Sequence, residues 1–173
     1  ADGRKSSFEI KYDLLIDNLK DVVITIDPSG KITFVGKAVK DILGYAVNEV
    51  LGTSMLDYIV PGDRPKAIEA VTKGIEGEKT SQCEVRVLHR DGRTVFIEFS
   101  GSRLWEDGKP VGALAIGRDV TRRRLADASL REQEEIFRTL FAASPDGILI
   151  SDLETREPVH ANPAFCRLLG YSE

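Results

Sequence analysis

The apolar positions of this chain follow two periods that alternate along its length. Between Ser7 and Leu19 they fall at Phe8, Tyr12, Leu15 and Leu19, a spacing that predicts one face of a helix. Val22–Ile26 is a β-branched run that predicts a strand. Pro28-Ser29-Gly30 predicts a tight turn, and Lys31–Val35 returns as the second strand of a hairpin. Short helical stretches follow at Ala38–Leu43, Val47–Leu51 and Ser54–Tyr58, the first two closed by Gly44 and Gly52. Pro61-Gly62-Asp63 precedes a longer helix over Arg64–Glu76, with Ala67, Ile68, Val71 and Ile75 on one side and Asp63 placed to cap it.

Period two then takes over. Ser81–Leu88 sets Cys83, Val85 and Val87 on one face, and Thr94–Leu104 sets Val95, Ile97 and Phe99 on one face. Asp91-Gly92 and Asp107-Gly108 predict the hairpin turns that lead to a last strand over Pro110–Val120. Two strands, a group of short helices and a three-strand meander predict an α+β module with an antiparallel sheet.

Residues Thr121–Ala143 contain neither glycine nor proline. Ala126, Leu130, Gln133, Phe137 and Leu140 recur at 4, 3, 4, 3, about two and a half heptads. The stripe predicts a helix that pairs with a second copy or packs on its own domain. Beyond it the opening pattern returns. Asp21-Val-Val-Ile-Thr-Ile-Asp27 runs to Gly44-Tyr45, and Asp146-Gly-Ile-Leu-Ile-Ser-Asp152 runs to Gly170-Tyr171, about 125 residues later. The chain divides into a flanking helix (1–20), a complete module (21–121), a helical linker (122–143) and the start of a second module (144–173). A hairpin with one helix cannot bury its apolar face, so residues 144–173 are expected to be poorly ordered or docked on the first module or a partner.

Composition narrows the function classes. The net charge is −4, which argues against a nucleic-acid or anionic-membrane footprint. Arg122-Arg123-Arg124 reads as the solvated first turn of the linker helix. The longest apolar run, Val111–Gly117, is too short to span a bilayer, and the polar first residues resemble no signal peptide. Cys83 and Cys166 lie in different modules and read as free thiols in a reducing, cytoplasmic setting. No phosphate loop, metal-ligand spacing or nucleophile with a base is visible, so the segment is not expected to be an enzyme.

Several motifs, in order, carry a resemblance. These are the strand–turn–strand closed by an Asp, the short helices ending at Gly44-Tyr45, and Pro61-Gly62-Asp63. Arg90-Asp91-Gly92 and Gly117-Arg118-Asp119-Val120-Thr121 complete the set. Together they resemble a PAS domain, and in the second copy Asn162-Pro163-Ala164-Phe165 is similar to the family's usual helix entry. Gly36-Lys37-Ala38-Val39 departs from that pattern in the first copy. The resemblance, over about residues 8–173, implies a five-stranded antiparallel sheet with short helices on one face and signalling helices on either side.

It also implies a cavity under those helices. The alternation places Cys83, Val85, Val87, Ile97, Phe99, Ala113, Ala115 and Gly117 on its face, an apolar lining in which the last strand contributes only small residues. Either a small metabolite occupies that space or Ile42, Leu43, Leu56 and Ile68 fill it. Flavin photosensors of the superfamily use a Cys where Met55 stands and a Gln where Gly117 stands. Haem-binding members use a His on the long helix, and none lies between Arg64 and Glu76. His89 is expected at an exposed hairpin tip, and His160 belongs to the second copy. Haem and covalent flavin are therefore not expected, and Trp105 offers only a weak site for loosely held flavin.

The resemblance implies a sensory module of a multidomain signalling protein, with a further PAS module and an output domain beyond it. That output is a histidine kinase of a two-component system or a cyclic-dinucleotide enzyme. Asp119 and Thr121, at the strand-to-helix junction, are the expected relay. Phe8, Tyr12, Leu15, Ala126, Leu130, Phe137 and Leu140 are the expected homodimer stripe. The alternative is a small-molecule receptor whose dimerisation is incidental.

Overall fold

The computed structural model describes residues 16, 18–76 and 82–170. The chain divides into two compact units, one ending at Arg122 and the other beginning at Arg123. Phe8, Tyr12 and Leu15 of the expected dimer stripe lie outside the described residues.

The first unit is a five-stranded antiparallel sheet in the order β2-β1-β5-β4-β3. Its strands are β1 (Val22–Ile26), β2 (Ile32–Val35), β3 (Cys83–Leu88), β4 (Thr94–Glu106) and β5 (Lys109–Asp119). β1, β5 and β4 are interior because each has a neighbour on both sides, and β2 and β3 are the edges. Across the first hairpin, Asp27 Oδ1 accepts the Ser29 amide at 2.9 Å, the Ser29 hydroxyl at 2.6 Å and the Lys31 amide at 3.0 Å. The short side chain does the work of a backbone turn, and these bonds, led by the Ser29 hydroxyl, hold the Asp27 carboxyl below its usual range.

Helices α1 (Ala38–Leu43), α2 (Val47–Val50) and α3 (Arg64–Glu76) cover one sheet face, with 3-10 turns at Met55–Asp57 and Pro61–Asp63. They are sewn to both edge strands. The Ile32 amide donates to Thr53 O at 2.9 Å and Met55 N to Gly30 O at 3.0 Å on the β2 side. On the β3 side Val60 N donates to Arg86 O at 3.0 Å and Leu88 N to Tyr58 O at 2.7 Å. The exposed edges of the sheet are thereby occupied rather than left as templates for another chain.

Asp63 does not cap α3. Its carboxylate reaches across to β3, accepting the Arg86 amide at 2.8 Å, Arg86 Nε at 2.9 Å and Arg86 Nη2 at 2.7 Å. Pro61 begins the 3-10 turn that leads into the helix, so the helix start carries Asp63 sideways toward the strand. The Arg86 guanidinium, followed by its backbone amide, lowers the Asp63 pKa to about 2.

α4 (Thr121–Ala143) is a 23-residue helix with no buried residue. In the second unit β6 (Leu149–Ser151) and β7 (Pro158–Ala161) form an antiparallel hairpin followed by α5 (Pro163–Leu169). Residues 144–170 form a hairpin and helix in which, among the described residues, Asn162 and Ala164 are buried.

Candidate functional site

The concave face of the sheet is built from rows of directly paired residues. Val22, Gly117, Phe99 and Cys83 form one row, and Ile24, Ala115 and Gly101 the next. Ile26, Ala113 and Arg103 form a third. All three rows carry a small residue on β5. On α3, Ala67, Ala70 and Gly74 line the same space, a 3, 4 spacing that puts them on one helix face. Small side chains on both sides leave an apolar cavity of about 110 Å³. Ordinary small-molecule sites are larger, roughly 300–1,000 Å³.

Six of the eight residues assigned to this lining by alternation border the cavity: Cys83, Val85, Val87, Phe99, Ala113 and Ala115. Ile97 and Gly117 are not on its wall. Ile97 is 0% exposed, one step further along the sheet toward α4. At Gly117 a Cβ would lie 2.4 Å from Phe99 Cε1 and 2.7 Å from Ile97 Cγ2. The space that glycine leaves is therefore occupied by the Phe99 ring, which seals that end. The sequence shows the small residue but not the neighbour that covers it.

Of the helix residues considered as filling, Leu43 borders the cavity, while Ile42 and Leu56 pack against the core from partly buried positions. Ile68 is exposed. Alternation missed Ala67, Ala70, Gly74 and Gly101, although the run of small residues on α3 was visible. Met55 is buried and borders the cavity. Tyr45 and Tyr58 close it with rings 5.0 Å apart, edge to face, and burial pushes the Tyr45 hydroxyl up. Burial likewise raises the Cys83 thiol. Both cysteines are free, Cys83 buried and Cys166 half-buried.

His89 is not at an exposed tip. Its side chain is 13% exposed and lies against Gly44, where a Cβ would fall 2.8 Å from His89 Cε1. The Arg90 amide donates to Leu43 O at 2.9 Å, which draws the hairpin down onto the end of α1. Trp105 is exposed, outside the cavity wall, with the Arg103 guanidinium 5.1 Å from its ring. Among the described residues, Arg103 Nε is a buried side-chain nitrogen without a hydrogen-bond partner. It stands on the cavity face, directly across from Ala113.

The junction of β5 with α4 is tied at three points. Asp119 Oδ1 accepts the Thr121 amide at 2.8 Å, and the Phe96 amide donates to Thr121 Oγ1 at 2.9 Å. The Val120 amide donates to Phe96 O at 2.9 Å. Arg118 Nη2 pairs with Asp21 Oδ2 at 3.3 Å beside it. The first turn of α4 is thus fixed to β4, and Asp119 is two residues from Gly117 under the Phe99 ring. Ala126, Leu130, Phe137 and Leu140 all lie exposed along α4. No helix among the described residues is long and apolar enough to cross a membrane, and no group of His, Cys, Asp and Glu among them is placed to hold a metal.

A sheet curled over a small cavity, lidded by short helices and running straight into a long exposed helix, defines a sensory signal-transduction module. The chain belongs to the PAS family: the PAS fold matches residues 16–125, and a PAS domain matches residues 135–173, the start of a second copy. It is 26% identical to the oxygen sensor protein DosP of Escherichia coli over 99% of this chain and 21% of that protein. It is 30% identical to the signal transduction histidine-protein kinase AtoS of Escherichia coli over 72% of this chain and 20% of that protein. The chain thus spans about a fifth of these relatives. The crystal structure of a PAS domain from Colwellia psychrerythraea superposes with a TM-score of 0.61 at 27% identity, over 67% of this chain and 99% of that one.

Proposed function

We propose that the first PAS module passes the state of its cavity to α4, which carries it to the second PAS module and on to an output domain in the parent protein. The observation that carries this reading is continuity. Phe99 borders the cavity and rests on Gly117, and Gly117 leads in two residues to Asp119 and in four to Thr121. A change that pushes the ring therefore loads the hydrogen bonds that set the first turn of α4. Asp119 and Thr121 act as the relay, and chemistry belongs to the output, a histidine kinase or a cyclic-dinucleotide enzyme. The segment itself is non-catalytic, cytoplasmic, and contacts neither nucleic acid nor membrane.

The same reading assigns α4 to a homodimer. A helix of 23 residues, roughly 34 Å long, leaves Leu125, Leu130, Ile136, Phe137 and Leu140 exposed. Helices in water draw most of their stability from packing an apolar face, and a second copy in parallel supplies that face. Light scattering tests it. We expect a dimer that becomes a monomer in the double variant Leu130→Asp, Phe137→Asp. A monomer before and after the change overturns the dimer.

A second reading, receptor first and dimer incidental, is favoured by the cavity itself. An apolar void near 150 Å³ stays dry and takes a benzene-sized guest, so this one suits a short hydrocarbon or a single ring. We expect small aromatic probes to raise the melting temperature of the wild type and not of Ala115→Leu, in which the space is filled. An equal shift in both places the binding elsewhere.

A further inference from the structure

The second unit holds a polar residue that its counterpart lacks. Asn162 is 0% exposed and uses all four of its hydrogen-bonding positions. Oδ1 accepts the Ile148 amide at 2.8 Å and the Phe165 amide at 2.9 Å. Nδ2 donates to Phe141 O at 3.1 Å and to Asp146 O at 2.9 Å. Two amide donors on one end and two carbonyls on the other allow only this orientation of the side chain. The partners come from four segments: the last turn of α4, the loop after it, the start of the hairpin and the first turn of α5. Phe141 O is one of the carbonyls that a helix leaves unsatisfied at its C-terminal end.

The equivalent position in the first module is Gly36. Its amide donates to Val23 O at 2.8 Å as that of Asn162 donates to Ile148 O at 3.0 Å. There a Cβ would meet Ile16 Cγ2 at 3.3 Å. An apolar contact with the flanking segment stands where the second copy has directional bonds.

We propose that Asn162 is the clasp that fastens the linker helix to the second module, so that a turn of α4 moves the hairpin and α5 as one body. The proposal rests on the reading of α4 as a relay. It makes Asn162 a positioning residue with two separable halves. Oδ1 organises the hairpin and caps α5, which a Ser or Asp in its place can still do. Nδ2 alone holds α4, and neither replacement supplies its two donors. A burying of four hydrogen bonds on one side chain also makes the joint stiff, because an unpaired buried partner carries a large penalty.

The experiment uses the whole chain with Cys83 and Cys166 changed to Ala and spin labels at Arg138→Cys on α4 and Arg167→Cys on α5. Labelled chain is diluted into unlabelled chain, so only distances within one molecule are read. The parent gives one narrow distance distribution. Asn162→Asp and Asn162→Ser broaden it at least twofold while the Phe165 amide keeps its exchange protection; Asn162→Ala broadens it and loses that protection. A distribution that stays narrow in the Asp and Ser variants overturns the clasp. So does loss of Phe165 protection in those two variants, which makes Asn162 a general packing residue. The relay reading fails by a different outcome, an α4 orientation unchanged when Ala115→Leu fills the cavity.

Discussion

The opening hairpin and helix occur twice in this chain, with the same local grammar and opposite surroundings. In the first copy Ile26, Ile32, Val35 and Val39 are buried, because β1 has β5 on its other edge and the helical lid above it. In the second copy Leu149, Leu153, Val159 and Leu168 are exposed, and among the described residues β6 pairs with β7 alone. Yet both turns are closed by an Asp, and both helices end at a left-handed glycine. Asp152 Oδ1 accepts the Glu154 and Thr155 amides at 2.8 Å each, as Asp27 accepts those of Ser29 and Lys31. Gly44 has φ 78° and Gly170 φ 76°. The lesson is that turn and cap chemistry shapes the motif, while burial comes from the strands that follow.

The largest test of that contrast compares core residues. Ile97→Ala is expected to destabilise the first unit by about 3–4 kcal/mol, since it empties a fully buried site. Ile150→Ala in the second hairpin is expected to cost under about 1 kcal/mol, because the side chain is already partly in water. Separate denaturant titrations of the two variants, followed by the exchange of amides in each unit, read both numbers. Comparable losses would mean that the second hairpin is packed as tightly as the first.

Next in size is Gly117→Ala, which must push Phe99 off its seat. A cost of about 1–3 kcal/mol is expected, together with weaker binding of small aromatic probes as the ring turns into the cavity. Unchanged stability would show that the ring does not rest on this glycine. The Asp63–Arg86 tie comes after it. The folded pKa of Asp63 is depressed, so its contribution is present above the unfolded value of 3.8 and is lost as pH falls toward about 2. Arg86 is nearly half exposed, so solvent screening keeps the tie's contribution small. Asp63→Asn should slightly flatten the stability profile between pH 4 and 2, relative to the parent protein.

The smallest effect is the most direct check on the shared grammar. Asp27→Ala and Asp152→Ala each remove an exposed side-chain turn. Each is expected to loosen its own hairpin to a similar, small degree, read as faster exchange of the Lys31 amide in one and the Thr155 amide in the other. A strong effect at Asp152 with none at Asp27 would break the parallel and show that the second hairpin depends on its turn because it lacks a core.

The sequence by itself determined the elements, their order and the family. Strand alternation, Asp-Gly turns and glycine stops are local: they act through residues a few positions apart, so a linear reading finds them. It also put on one face six residues that border the cavity, because a strand's two faces follow from its period. What it could not find were distances between segments. Asp63 reads as a helix cap and proves to bind Arg86, since the turn's direction depends on how α3 lies on β3. His89 reads as a hairpin tip and lies on Gly44. Gly117 reads as open room and is covered by Phe99, a residue on another strand. Asn162 reads only as part of a helix entry, and only the tertiary structure shows that its side chain also holds the last turn of α4. In each case the deciding partner is far along the chain, brought close only when the sheet and its helices pack.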